Sequence, residues 1–377
     1  MILKRRAKNR KHMDIASFID YENCLTNLSA SISKHYGLEI KHKTLKEADN
    51  VLALNRRNIV LLLLDGLGCS ILKTVSESDG FFQKHIIKNY KSVFPPTTTA
   101  ATTSLISGLN PAEHGWFGWT QYFPQENKDV VIFTNRDSTT GEYYPGKTFA
   151  EKYLPYEPFI NALQRNGKAN VHYFASFHRR YNFETFCDSI FNACSGNEKN
   201  FVYGYWDQPD NWLHKHGLDE YIKYYILKME NTVQEMCQKL KDTLVLVTAD
   251  HGHRDIKYYV LEDYPEIRKM LLRPASMEQR AISFYVKSEN MQVFPSAFRN
   301  AFGDNFLLLS REQVVESGLF GPGRVCDKIE QYIGNYVALS IGEWGIANLY
   351  RDAGLKSQHG GLTQEEMDIP LIAIDCK

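Results

Sequence analysis

Short aliphatic and β-branched runs that break off at acidic or turn residues, separated by helical patterns, constrain this chain more than any other feature. Ile59–Leu64 runs into Asp65-Gly66, Phe201–Trp206 into Asp207, and Leu244–Val247 leads to Asp250-His251-Gly252, with a further run at Val171–Phe177. Apolar runs of this length, bounded by turn signals, read as buried strands. The clearest helix spans about Leu218 to Leu240, where Ile222, Ile226, Met229, Val233, Met236 and Leu240 recur at steps of three and four and form one apolar stripe. Strands alternating with helices predict an α/β fold, a three-layer sandwich with a mostly parallel central sheet and helices on both faces. Ligands of such sheets bind outside the carboxyl ends of the strands, which is where Asp65, Asp207 and Asp250 fall.

The pattern divides the chain. Residues 1–50 read as a helical appendage, since Ile19, Leu25, Leu28 and Ile32 have roughly helical spacing ahead of the first strand. Residues 51–260 and 351–377 read as the α/β core, with Pro370–Ile374 returning as a buried strand. Between them, Pro265, Pro274, Pro295 and the segment Gly318–Gly323 interrupt the rhythm around a strand-like Ile282–Val286, so 261–350 reads as a small inserted cap.

Charge and composition narrow the partners. Lys and Arg total 44 and Asp and Glu total 44, so no net field attracts a polyanion, and neither a nucleic acid polymer nor an anionic membrane surface is expected. The longest plainly apolar run, Ile59–Leu64, falls far short of the roughly 20 residues a bilayer-crossing helix needs. The basic residues Lys4, Arg5, Arg6, Lys8, Arg10 and Lys11 are not followed by the apolar stretch of a secretory signal, and read as a solvated end. The seven cysteines are scattered without a C-x-x-C pair, so they read as reduced thiols of a cytoplasmic protein.

Five segments carry chemistry. Asp65 stands where a strand stops and Gly66 permits a tight turn, although Asp-Gly after a strand is commonly a turn and nothing more. In Phe94-Pro95-Pro96-Thr97-Thr98-Thr99, two prolines precede a helix-competent run closed by Gly108 and Pro111, which sets hydroxyls at a helix N-terminus. Free N–H groups and the positive dipole end favour a phosphate there, and N-capping accounts for one threonine but not three. Asp210 and His214, four residues apart, share one face of a helix and suit a divalent cation, whereas an extended segment would bring His216 to the same side. Asp250 and His251 leave a strand in succession as an oxygen and nitrogen ligand pair, with His253 two residues on. The last segment is His359-Gly360-Gly361, just ahead of the final strand.

In this combination the chain resembles the alkaline phosphatase superfamily, and within it the type I phosphodiesterase and nucleotide pyrophosphatase family, over roughly 55–260 and 355–377. The resemblance implies one metal site from Asp65, Thr98, Asp250 and His251, and a second from Asp210, His214 and His359; the chain supplies every member of both sets. It marks Thr98 as the nucleophile, because Phe94-Pro95 ahead of it and Gly108-Leu109-Asn110-Pro111 behind it match the family spacing, with Thr97 and Thr99 as the alternatives if the register slips. It also implies two divalent cations, zinc in the first instance with manganese as the alternative, and a small-molecule phosphate ester as substrate. The expected reaction is hydrolysis of phosphodiester or pyrophosphate bonds in nucleotide-like molecules through a phosphothreonine. A monoesterase, phosphonate hydrolase or phosphomutase of the same superfamily is the runner-up, and a silent metal-binding protein the reading from another class. Tyr205 falls where the family places an aromatic near the substrate, and His253 is a candidate supporting or additional ligand. One departure stands out: Trp119 occupies the place of an Asn that in the family donates to a phosphoryl oxygen, leaving Thr120, Gln121 or the N–H of Thr99 to serve instead.

Overall fold

The computed structural model describes residues 15–176, 182–323 and 329–377. The basic N-terminal run, Phe177 and Cys326 lie outside the described residues.

The central sheet has six strands in the order Ile86–Lys91, Asp368–Cys376, Thr243–Thr248, Asn58–Leu64, Asn200–Trp206, Asn170–Ala175. All seven residues of Asn58–Leu64 are buried, as its unbroken aliphatic sequence requires of a strand covered on both faces. Each fully buried Leu or Ile of this kind contributes roughly 1.5–3 kcal/mol of transfer free energy. Asn58–Leu64 pairs in parallel with both Asn200–Trp206 and Thr243–Thr248, and Leu63 lies opposite Tyr205 on one side and Thr248 on the other. The carboxyl ends are therefore level, and Asp65, Asp207 and Asp250 emerge along one edge. The strand at the end of the chain does join this sheet, antiparallel to both neighbours.

The periodic helix runs from Glu220 to Lys239 with Ile222, Ile226, Met229, Val233 and Met236 buried, and the Asp219 side chain caps its start by accepting from Ile222 N at 2.8 Å. Helix Leu25–His35 has the expected helical spacing, but it does not stand apart: Leu25, Leu28 and Ile32 are fully buried in the main core, and the helix packs against Thr98–Ser107. Its apolar face finds its partner more than 60 residues downstream, which spacing alone does not reveal.

A second sheet of seven strands runs Phe306–Ser310, Tyr336–Ser340, Ala281–Phe284, Ser276–Met277, Thr120–Phe123, Lys128–Val131, Arg136–Asp137. Its pairings are antiparallel throughout. Three of these strands come from 120–137, within the stretch read as core, so the sheet is neither small nor confined to 261–350. The short mixed-polarity strands Thr120–Phe123 and Lys128–Val131 lack an aliphatic signature, and their hairpin turns through Asn127, a non-glycine residue at φ +53°. Among the described residues no helix is long and apolar enough to cross a membrane, and Cys24, Cys69, Cys187, Cys194, Cys237 and Cys376 are free thiols.

Candidate active site

Glycines let the strand ends close on one another. Gly66, at φ +76°, follows Asp65, and a Cβ there would lie 3.1 Å from Cα of Asp210. A Cβ on Gly68 would lie 2.4 Å from Cα of Gly252, so the loops after two strands meet backbone to backbone. In this setting Gly66 N and His251 N both donate to Oδ1 of Asp250, at 3.1 and 3.0 Å.

Asp65, Asp250 and His251 form one buried cluster. His251 Nε2 is 3.3 Å from Oδ1 of Asp65 and 3.5 Å from Oδ2 of Asp250, while its Nδ1 faces the Gly252 carbonyl at 3.1 Å. With Nδ1 donating to that carbonyl, the Nε2 lone pair points into the cluster. Thr98 opens helix Thr98–Ser107, and its Oγ1 lies 3.2 Å from His251 Nε2 and 3.5 Å from Oδ2 of Asp65. The neighbouring threonines face elsewhere. Thr97 donates its hydroxyl to Glu278 at 2.6 Å, and Thr99 is wholly buried with its hydroxyl unpaired among the described residues.

Asp210, His214, His253 and His359 form a second cluster. Helix Asp210–His216 puts Asp210 and His214 on one face, with His214 Nε2 at 3.2 Å from Oδ1 of Asp210, while His216 is exposed and outside the cluster. His253 Nε2 and His359 Nε2 approach the same oxygen at 2.6 and 3.6 Å. The outer nitrogens are held as well: Nδ1 of His214 faces Ser357 O at 2.9 Å, that of His359 faces Pro96 O at 3.2 Å, and that of His253 faces the Ser357 hydroxyl at 3.1 Å. The two clusters adjoin, since the rings of His251 and His359 stack with centroids 3.8 Å apart.

The charges are unbalanced without cations. Burial first, then the charges of Asp250 and Asp210, hold the Asp65 carboxyl well above the usual range, and burial likewise raises Asp250. Burial also opposes ionisation of Asp210, but His214 and His253 outweigh it and hold its carboxyl well below the usual range. Burial pushes His253 down to about 4 and holds His359 well below the usual imidazole range, so both favour the neutral, ligating form. Asp65 Oδ1 and Asp250 Oδ2 are buried without a hydrogen-bond partner among the described residues. Unpaired carboxylate oxygens beside inward-facing imidazole nitrogens are the donor set that divalent cations satisfy, so the residues fit the two ions the resemblance implies.

A cavity of about 880 Å³ opens onto both clusters and is lined by Asp65, Thr98, Tyr205, Asp210, His214 and His359 among others. Tyr205 donates its hydroxyl to Oδ2 of Asp65. Trp119, 44% exposed, also lines it, and its side chain has no amide to offer. Gln121 does not replace that amide, because its Oε1 accepts from Phe117 N and its Nε2 donates to Gly115 O. His114 is buried away from the clusters between Ser104 and the Trp116 N–H, and burial holds it down to about 3.

Two features escaped the sequence reading. Glu278 lines the cavity, and its Oε1 accepts from the Trp119 N–H at 2.6 Å as well as from Thr97. Burial pushes its carboxyl up to about 7. Arg280 and Glu366, both fully buried, pair through two hydrogen bonds of 2.6 and 2.8 Å, and Glu366 also accepts from Gly361 N at 2.7 Å, which ties the second sheet to the His359 loop. A lone Glu and a lone Arg in a mixed segment carry no motif; the positive φ of Met277 beside Glu278 is visible only in three dimensions.

The family model for type I phosphodiesterase / nucleotide pyrophosphatase matches residues 59–297. The chain belongs to this family. As such it is a nucleotide pyrophosphatase/phosphodiesterase-type hydrolase, acting on phosphodiester bonds. Its fold is similar to that of murine ectonucleotide pyrophosphatase / phosphodiesterase 5, with a TM-score of 0.62 and 18% identity over 84% of this chain and 87% of that one. The human counterpart gives 0.63 at the same identity and coverage, and an inactive murine threonine-to-alanine variant in complex with AMP gives 0.61. At that identity the likeness speaks to the fold. No curated protein matches the chain by sequence. For this family member the matched stretch contains all the clustered residues except His359, which enters from beyond it.

Proposed function

We propose that this enzyme hydrolyses phosphodiester or pyrophosphate bonds of nucleotide-like substrates in two displacements, with Thr98 as the nucleophile. The observation that carries the reading is Thr98 Oγ1 at the mouth of its helix, 3.2 Å from His251 Nε2 and beside Asp65, where both clusters meet the cavity. In the first displacement Thr98 Oγ forms a bond to phosphorus as the bond to the leaving oxygen breaks, giving a phosphothreonine that keeps the ester group not displaced. In the second, water breaks the Oγ–P bond and restores the hydroxyl. Asp65, Asp250 and His251 would hold one divalent cation, with Thr98 Oγ beside it, and Asp210, His214, His253 and His359 the other. Such a pair supplies charge stabilisation for the attacking and departing oxygens of an in-line displacement. The chain's own contribution is orientation: His251 and Asp65 fix the Thr98 hydroxyl, and the first turn of its helix offers N–H groups to a phosphoryl oxygen.

Zinc is the cation this reading favours, since imidazole and carboxylate ligands suit it, with manganese as the alternative. The AMP complex of a structural relative supports a nucleotide-like substrate. The same reading includes helices on both faces of the central sheet, the second sheet as the cover of the site, and a reducing, cytoplasmic location in keeping with the free thiols. Thr98→Ala tests it: metal-replete protein carrying this change loses hydrolysis of an activated phosphodiester by several orders of magnitude, and full retention refutes the assignment.

A further inference from the structure

Glu278 is wedged between the two halves of the site. On one side its Oε1 takes the hydroxyl of Thr97, the residue before the nucleophile, at 2.6 Å. On the other its stem packs on the loop of His359: a Cβ added to Gly360, at φ +98°, would lie 3.1 Å from Cβ and Cγ of Glu278. The same Oε1 takes the Trp119 N–H at 2.6 Å. Met277, immediately before it, stands at φ +75°, a left-handed conformation that non-glycine residues adopt at a cost. Gly118 permits this, because a Cβ there would come within 2.8 Å of Met277 Cα. The chain thus bends out of the strand Ser276–Met277 and delivers a carboxylate to the cavity wall.

The consequence is chemical. Two donors, the hydroxyl of Thr97, the residue before Thr98, and the Trp119 N–H, are consumed by Oε1 and are not offered to a phosphoryl oxygen. Oε2 makes no hydrogen bond among the described residues, so this wall presents an acceptor with negative charge on the side where the resemblance places an amide donor.

We propose that Glu278 determines which phosphate charge the pocket accepts, its carboxylate disfavouring the dianion of a phosphomonoester relative to the monoanion of a diester. This rests on the reading of Thr98 and the two clusters as the phosphoryl-transfer site. A second phosphate ionisation occurs near pH 6, so above neutrality a monoester brings close to two charges where a diester brings one. At cavity distances the extra like charge is only weakly screened, and its removal alters discrimination by about ten-fold or more.

The test compares kcat/KM for thymidine 5′-(4-nitrophenyl phosphate) and 4-nitrophenyl phosphate, which release the same chromophore, on the full chain loaded with zinc or manganese at pH 8.5. The wild type prefers the diester. Glu278→Gln keeps the acceptor for Thr97 and Trp119 but removes the charge, and raises the monoester-to-diester ratio by about ten-fold or more. Glu278→Ala shifts the ratio in the same direction, and Glu278→Asp keeps the wild-type ratio. Ratios that stay within about two-fold of wild type in both charge-removing variants, with thermal unfolding showing folded protein, overturn the proposal while leaving the Thr98 reading intact. A wild type that prefers the monoester overturns it as well. A metal-loaded wild type that hydrolyses neither substrate brings down the reading beneath it too.

Discussion

Nε2 of His253 lies 2.6 Å from Oδ1 of Asp210, closer than either His214 or His359 comes to that oxygen. His253 therefore belongs with the second cluster and is more than a neighbour of the Asp250-His251 pair. His253→Ala is expected to weaken binding of one of the two cations by roughly 10–100-fold, with activity recovered at excess metal. His216→Ala, at an exposed position on the same helix as His214, leaves affinity unchanged. Metal content after dialysis and calorimetric titration check this, and two tightly held ions per chain in His253→Ala would contradict it.

Asp65 and Asp250 burden the metal-free protein. Both carboxyls are raised by burial, and each has one oxygen without a partner. For an acid whose folded pKa lies above its unfolded value, folding stability declines as pH rises through that window, and the loss is complete once the folded group ionises. Asp250→Asn keeps an acceptor for Gly66 N and His251 N while removing the charge. In chelated protein near neutral pH it is expected to raise Tm by roughly 2–4 °C, and added zinc then stabilises it far less than wild type. Differential scanning fluorimetry with and without chelator measures both effects, and a lower Tm in the chelated variant would count against the account.

The Arg280–Glu366 pair holds the His359 loop from behind. Burial opposes ionisation of Glu366, but Arg280 and the donors from Thr363 and Gly361 outweigh it, so its carboxyl sits below the usual range. A depressed folded pKa stabilises above the unfolded value of about 4.3, and that stability is lost as pH falls through the folded value. Arg280→Met leaves a buried carboxylate without its partner and is expected to cost about 3–5 kcal/mol, whereas Glu366→Gln, which still accepts from Gly361 N, flattens the acid limb of the stability profile. Urea denaturation as a function of pH separates the two. An Arg280→Met protein within about 1 kcal/mol of wild type would show that the pair is not needed to hold the loop.

Much of the candidate site was legible in the residues because its clustered side chains leave aliphatic strands or flank glycines. Asp65 and Asp250 follow buried strands whose unbroken hydrophobicity announces them, and Gly66, Gly68 and Gly252 sit where backbones meet. What was not legible depends on partners distant in sequence. The Leu25–His35 stripe is amphipathic wherever it packs, and nothing local says that it packs on Thr98–Ser107. The hairpin of Thr120–Phe123 and Lys128–Val131 joins strands near 280 that break the core rhythm. His253 was ambiguous because a strand end cannot tell which way the fourth residue of Asp250-His251-Gly252-His253 turns, and Glu278 depends on a positive φ at Met277.

The central claim is that phosphorus is displaced twice, first by Thr98 and then by water. The stereochemical course of hydrolysis of a chiral phosphorothioate diester in isotopically labelled water tests it most directly. Two in-line displacements predict net retention at phosphorus; net inversion would mean that water attacks the substrate in one step, and would contradict the account.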